Sequence, residues 1–178
     1  RLTDGYRYTW DEVDGFATVF TLDPSGSYRC GTTNALVADP AQCEFTDRLK
    51  SRKPTWTVGL DYDVLDDVMV YGKVSKGYKA GGFNTYAVRP ETQTFGPEEV
   101  TSYELGVKSE FTIGDVPVRL NADVFQTDFE KIQRASGDFN PVTYASGARV
   151  LSSASAEIRG LELEAVIRPL DALEIDRK

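Results

Sequence analysis

The chain has no histidine and only two cysteines, so Ser-His triads, His-ligated zinc and histidine general bases are closed to it. Cys30 and Cys43 are too far apart for a redox CxxC pair and too few for an all-cysteine zinc site. They lie among Gly, Thr, Asn, Asp and Pro residues, which reads as a loop. In an oxidising compartment they would pair; two free thiols are the alternative. One pair of side chains suggests catalysis: Glu162 and Glu164 are two acids such as a glycosidase uses. Residues two apart share a face of any strand, however, and no sugar-binding loop surrounds these. With no nucleophile–base pair, the chain reads as a non-enzyme, with no metal site and no cofactor.

The elements that carry these side chains are strands. No apolar run approaches the ~20 residues of a membrane helix, whereas a membrane β-barrel averages to the moderate polarity seen here because its strands alternate two faces. The net charge of −8 argues against nucleic acid, which rewards clustered Lys and Arg. From Trp56 to Val64 every even residue is apolar and every odd one is Thr, Gly or Asp, the period-2 pattern of a two-faced strand. After a tight turn at 65–67, Val68, Val70, Gly72 and Val74 alternate with Met69, Tyr71, Lys73 and Ser75. The unit recurs: Tyr103, Leu105, Val107 and Phe111, a turn at Gly114-Asp115, then Val118, Leu120, Ala122 and Val124. A third unit has Leu161, Leu163, Ala165 and Ile167, a turn at 169–172, and a last strand from Leu173. At the front, Tyr6, Tyr8 and Trp10 alternate with Gly5, Arg7 and Thr9. About seven strands are expected.

The connections also alternate. Short ones lie at 65–67, 114–115 and 169–172, and long ones at 11–52, 81–99 and 131–156. Short turns at one end and long loops at the other are the outer-membrane arrangement, periplasmic and extracellular respectively. A soluble β-sandwich has no reason to sort its loops by length. Tyr8, Trp10, Trp56, Tyr62 and Tyr78 lie near strand ends on the apolar side, as interfacial girdles would.

Residues 70–84 read VYGKVSKGYKAGGFN. This resembles the barrel motif of TonB-dependent receptors in which a strand climbs into an extracellular loop. Four further pieces follow the family's order: the opening GYRYT at 5–9, FGPEE with SYELGVKS at 95–109, LNADVFQTDF with KIQ at 120–133, and AEIRGLELE at 156–164. Together they cover nearly the whole chain. The resemblance implies an all-β antiparallel transmembrane barrel segment in a Gram-negative outer membrane. Residues 1–178 would form part of one barrel domain, about a third of the ~22 strands of a plugged transporter. Both ends fall inside strand patterns, so the chain is expected to be cut from a longer protein, and the missing signal peptide says nothing of location.

The resemblance further implies active import of a scarce nutrient, such as a ferric siderophore, energised through TonB. The TonB complex would be reached through an N-terminal region and TonB box outside this chain, and a plug domain, also outside it, would gate the pore. Glu104, Lys108, Glu110, Arg119, Asp123, Glu162 and Glu164 share the lumen parity and would face that plug. Candidate ligand contacts in the long loops are Tyr86, Arg89, Gln93, Phe95, Arg134, Phe139, Asn140, Tyr144 and Arg149. Outer-membrane lipid is the remaining partner. A passive porin or adhesin barrel is the second reading, and a secreted soluble carbohydrate-binding β-sandwich the third.

Overall fold

A computed structural model describes residues 1–170 and 173–177. Its strands are β1 (Leu2–Thr18), β2 (Phe20–Leu22), β3 (Tyr28–Cys30), β4 (Leu36–Val37), β5 (Glu44–Leu65), β6 (Val68–Lys79), β7 (Gly82–Phe83), β8 (Thr94–Phe95), β9 (Glu98–Ile113), β10 (Val116–Phe139), β11 (Ser146–Leu170) and β12 (Leu173–Arg177). Seven form one sheet in the order β1-β5-β6-β9-β10-β11-β12, each antiparallel to its neighbours. This is the expected meander, and no second layer packs on it among the described residues.

Register puts like with like. One lateral row runs Leu2, Leu60, Gly72, Leu105, Val124, Leu161, and another runs Tyr62, Val70, Val107, Ala122, Leu163. Leu105 is 62% exposed and Leu161 64% exposed. An apolar face this broad and uncovered needs lipid in place of a core. On β9 it extends from Tyr103 to Ile113. Ten steps of ~3.4 Å, tilted by ~40°, rise about 25 Å, the height of an outer-membrane apolar band. Tyr6 and Trp56 pair at its upper margin, where the Tyr8 and Trp10 ring centroids lie 4.6 Å apart with the planes tilted by 54°, and Tyr62 marks the lower end. Tyr78 leaves this girdle: β5 and β6 part above Trp56–Lys76, and its hydroxyl donates to the Asp11 carboxylate.

The short ends lie where expected, at 66–67 and 114–115. The turn expected at 169–172 falls partly outside the described residues. The long loops are shorter than expected. β1 and β5 stay paired up to Thr18–Glu44, and β10 and β11 up to Phe139–Ser146, so the irregular connections shrink to 19–43, 80–97 and 140–145. Above the membrane neither strand face meets lipid, and the apolar alternation that identifies a strand disappears although the ladder continues. Residues 19–43 are themselves ordered, as the small sheet β2-β3-β4 and a 3-10 turn at Pro40–Cys43.

Candidate functional site

Two polar regions lie on the side opposite the lipid face. The lower one lines the lumen. Lys73 and Glu104 are register partners joined at 2.6 Å, and the Tyr71 hydroxyl donates to Glu104 at 2.8 Å. The Lys108 ammonium stands 5.2 Å from the Tyr71 ring centroid, within cation–π reach. Arg119 pairs with Glu110 at 2.6 Å, and Asn121 donates to Glu164 at 2.9 Å. Asp123 and Glu162 stand directly opposite one another. Register therefore brings all seven sequence-named lumen charges onto one face. Tyr71, Lys73 and Asn121 join them there, although only the parity of the strands announces it. The carboxylates Asp61, Asp63, Glu104, Glu110, Asp123, Glu162 and Glu164 outnumber Arg7, Lys73, Lys108, Arg119 and Arg168 of the same parity, so this wall is densely charged with a small acidic excess. Among the described residues, no group of three or more His, Cys, Asp or Glu is placed to hold a metal ion.

The upper region is the extracellular crown, which holds nearly every buried residue among those described: Cys30, Cys43, Asn84, Ala87, Val88, Thr92, Gln93, Asp138 and Asn140. Cys30 and Cys43 are joined as a disulfide, as an oxidising compartment allows. Asp138, with no exposed side-chain surface, accepts from Arg89 at 2.9 Å, from the Thr92 hydroxyl at 2.6 Å and from the Val88 N–H at 3.2 Å. Arg149 approaches it at 3.8 Å. Burial alone would raise this carboxyl, but the hydrogen bonds from Thr92, Val88 and Arg89 outweigh it and hold it below the ordinary aspartate value. Asn84 exchanges two hydrogen bonds with the backbone of Val150, at 2.6 and 3.1 Å, as a strand residue would. Asn140 donates to the carbonyls of Val88 at 2.8 Å and of Gly31 beside the disulfide at 3.3 Å. In the 19–43 segment, the Ser25 N–H, then Arg29 and the Ser25 hydroxyl, hold the Asp23 carboxyl down to about 2.

A bulge aims this crown. Glu130 and Lys131 of β10 face Ser155 alone, and Ser153 of β11 is skipped. Lys131 takes the left-handed conformation at φ 55, and its carbonyl accepts the Ser152 hydroxyl. Below the bulge the odd residues of β10 face the lumen; above it the even ones do. Asp138 and Asn140 thereby point inward.

The nine candidate ligand residues divide. Arg89, Gln93, Asn140 and Arg149 are taken up in the interlocking of the loops. Phe95 covers Gly82. Tyr86, Phe139 and Tyr144 are solvent-exposed, Tyr86 at 74% and Tyr144 at 80%, and Arg134 is exposed on the rising strand. Tyr144 takes φ 57, with its turn closed by Asn140 and Thr143.

Residues 1–174 match the family model described as TonB dependent receptor-like, beta-barrel. A 106-residue stretch is 35% identical to the pesticin receptor of Yersinia enterocolitica, and a 105-residue stretch is 31% identical to that of Yersinia pestis. Each match covers 58% of this chain and 14% of the receptor's own length. Among solved structures, copper transporter OprC superposes with a TM-score of 0.67 at 15% identity, over 98% of this chain and 25% of that one. The hemophore receptor HasR of Serratia marcescens, solved as a double mutant with its hemophore HasA and heme, gives 0.56 at 14% identity, over 94% and 29%. At these identities the two structures speak for the fold alone. Barrels of this kind are Gram-negative outer-membrane proteins, which accounts for the broad apolar face. Matched over nearly its whole length, this two-faced meander belongs to the TonB-dependent receptor-like β-barrel family.

Proposed function

We propose that residues 1–178 are part of one barrel domain, the wall of a receptor that imports a scarce nutrient across the outer membrane with energy supplied through TonB. A ferric siderophore is the ligand class proposed. The observation that carries the reading is the pairing of a densely charged lumen wall with an ordered extracellular crown: a passive pore needs the first but not the second. The name receptor on relatives 35% and 31% identical supports it. Glu104, Lys108, Glu110, Arg119, Asp123, Glu162 and Glu164 face the plug domain of the parent. Tyr86, Phe139, Tyr144 and Arg134 are the crown residues free to meet a ligand, whereas Arg89, Gln93, Asn140 and Arg149 support the loops that present them. The protein acts as a transporter and not as an enzyme. The test is uptake of radiolabelled ferric siderophores by cells expressing the full-length parent, with and without a protonophore. Uptake that persists without the proton-motive force favours the passive porin.

A further inference from the structure

The 82–95 segment lies between two hairpins and is fastened to the lumen side of both. On one side, the Phe83 ring sits where a side chain at Gly15 would be and packs against Phe45, its centroid 6.2 Å away. Gly15 and Phe45 carry lumen parity, because the β1–β5 register runs unbroken from Gly5–Thr57 to Ala17–Phe45. On the other side, Asn84, Val88, Arg89 and Thr92 bind Val150, Asn140 and Asp138. Gly147 lets the Tyr86 carbonyl approach where any Cβ would collide. Asp138, Asn140 and Gly147 face inward, since they lie above the bulge at lumen parity, and Val150 is held by its backbone N–H and carbonyl at the strand edge.

We infer that residues 82–95 are a fixed strap across the inner side of the wall at its extracellular mouth, setting an upper size on what passes into the lumen. Independent anchors at its two sides and buried polar bonds throughout make it a permanent constriction. Tyr86 and Glu91 are exposed on it and line the narrowed mouth. The strap rests on the barrel-wall assignment but not on ligand uptake, so it can stand or fall without any transport assay.

The experiment uses the full-length receptor in intact cells with one added thiol, Thr55→Cys, whose position has lumen parity at the level of Arg7. It is labelled with a small membrane-impermeant maleimide and with a bulky polyethylene-glycol maleimide. The expected result is fast small-reagent labelling and bulky-reagent labelling slower by severalfold. Loosening the strap at either anchor, by Asn84→Ala or by Phe83→Ala, should bring the bulky rate up towards the small one. Two separate variants, each checked for heat-modifiable barrel mobility, guard against a folding failure at one anchor. Equal rates for both reagents with the strap intact would overturn the inference. So would bulky-reagent labelling that neither loosened variant accelerates.

Discussion

Tyr71 on β6 and Gly106 on β9 are register partners, and a Cβ at Gly106 would come within 2.5 Å of the Tyr71 ring. The ring lies over the bare backbone, with Lys108 on its face and its hydroxyl on Glu104. Gly106→Ala should therefore evict the ring and loosen that cluster, costing about 1–3 kcal/mol as overpacking does. Gly59→Ala, whose Cβ would meet nothing closer than 3.7 Å, should be neutral or slightly stabilising. Denaturant titration of the refolded parent receptor in detergent compares the two; equal losses would mean that the ring does not rest on Gly106.

The two faces of the wall make opposite demands. Val107→Arg places a charge near the middle of the apolar band and should destabilise the barrel by about 2–4 kcal/mol. Thr57→Arg points into the lumen and escapes that penalty. Refolding into lipid vesicles at graded urea concentrations should separate the variants, and equal tolerance would deny that a lipid face exists.

Sidedness follows from the same frame. Tyr144→Cys, at the most exposed aromatic of the crown, should react with a membrane-impermeant thiol reagent on intact cells. Asp66→Cys, in the β5–β6 turn, should react only after the outer membrane is opened. The reverse pattern would invert the topology.

What the sequence discloses is what the solvent enforces. Lipid on one side and water on the other compel alternation, so Trp56–Val64 and Tyr103–Phe111 reveal their strands and the Gly114-Asp115 turn between later ones. Above the membrane that demand ends. Val13 to Thr18 and Arg134 to Phe139 are strands with no alternation to betray them, and they read as loops. Arg89, Gln93, Asn140 and Arg149 look like ligand contacts for the same reason: a loop Arg or Asn carries no local mark of the distant carbonyl or carboxylate it will meet. Asp138, the centre of the crown, sits in Gly-Asp-Phe-Asn and passes for an ordinary turn residue. The Cys30–Cys43 pair was legible because only one partner exists for each thiol.

The disulfide should matter to the crown and not to the wall. Closing a loop over a sequence separation of 13 restrains the unfolded segment by about 3 kcal/mol in the chain-entropy model. It also steadies Gly31, whose carbonyl receives Asn140 and Thr143. Replacing both cysteines by Ser should raise amide exchange across 19–43 and at Asn140, while the β9–β10 ladder keeps its protection. Lost protection in that ladder would refute the separation.

Asp138 should make the crown acid-sensitive. Its carboxyl is held below the ordinary value of 3.8, so between its folded pKa and that value the unfolded chain binds more protons than the folded one. The stabilisation is complete above pH ~4 and is lost as pH falls through the folded pKa. Asp138→Asn removes this dependence, leaves Arg149 without its counter-charge and leaves Arg89 with Glu91 alone, at a cost of about 3–5 kcal/mol. Proteolysis of the crown from pH 7 down to 3 reads both effects; an unchanged acid profile in the variant would exclude Asp138 as the sensor.

The bulge at Glu130-Lys131 acts as a phase shifter between two environments. Below it the strand keeps time with the bilayer; above it, with the crown. Deleting Lys131 would leave every residue of β10 chemically intact yet put its upper half out of phase, turning Asp138 and Asn140 to the outside and Phe139 to the pore. One residue of length, with no side chain of its own in the network, thus decides which surface of the hairpin the extracellular mouth sees.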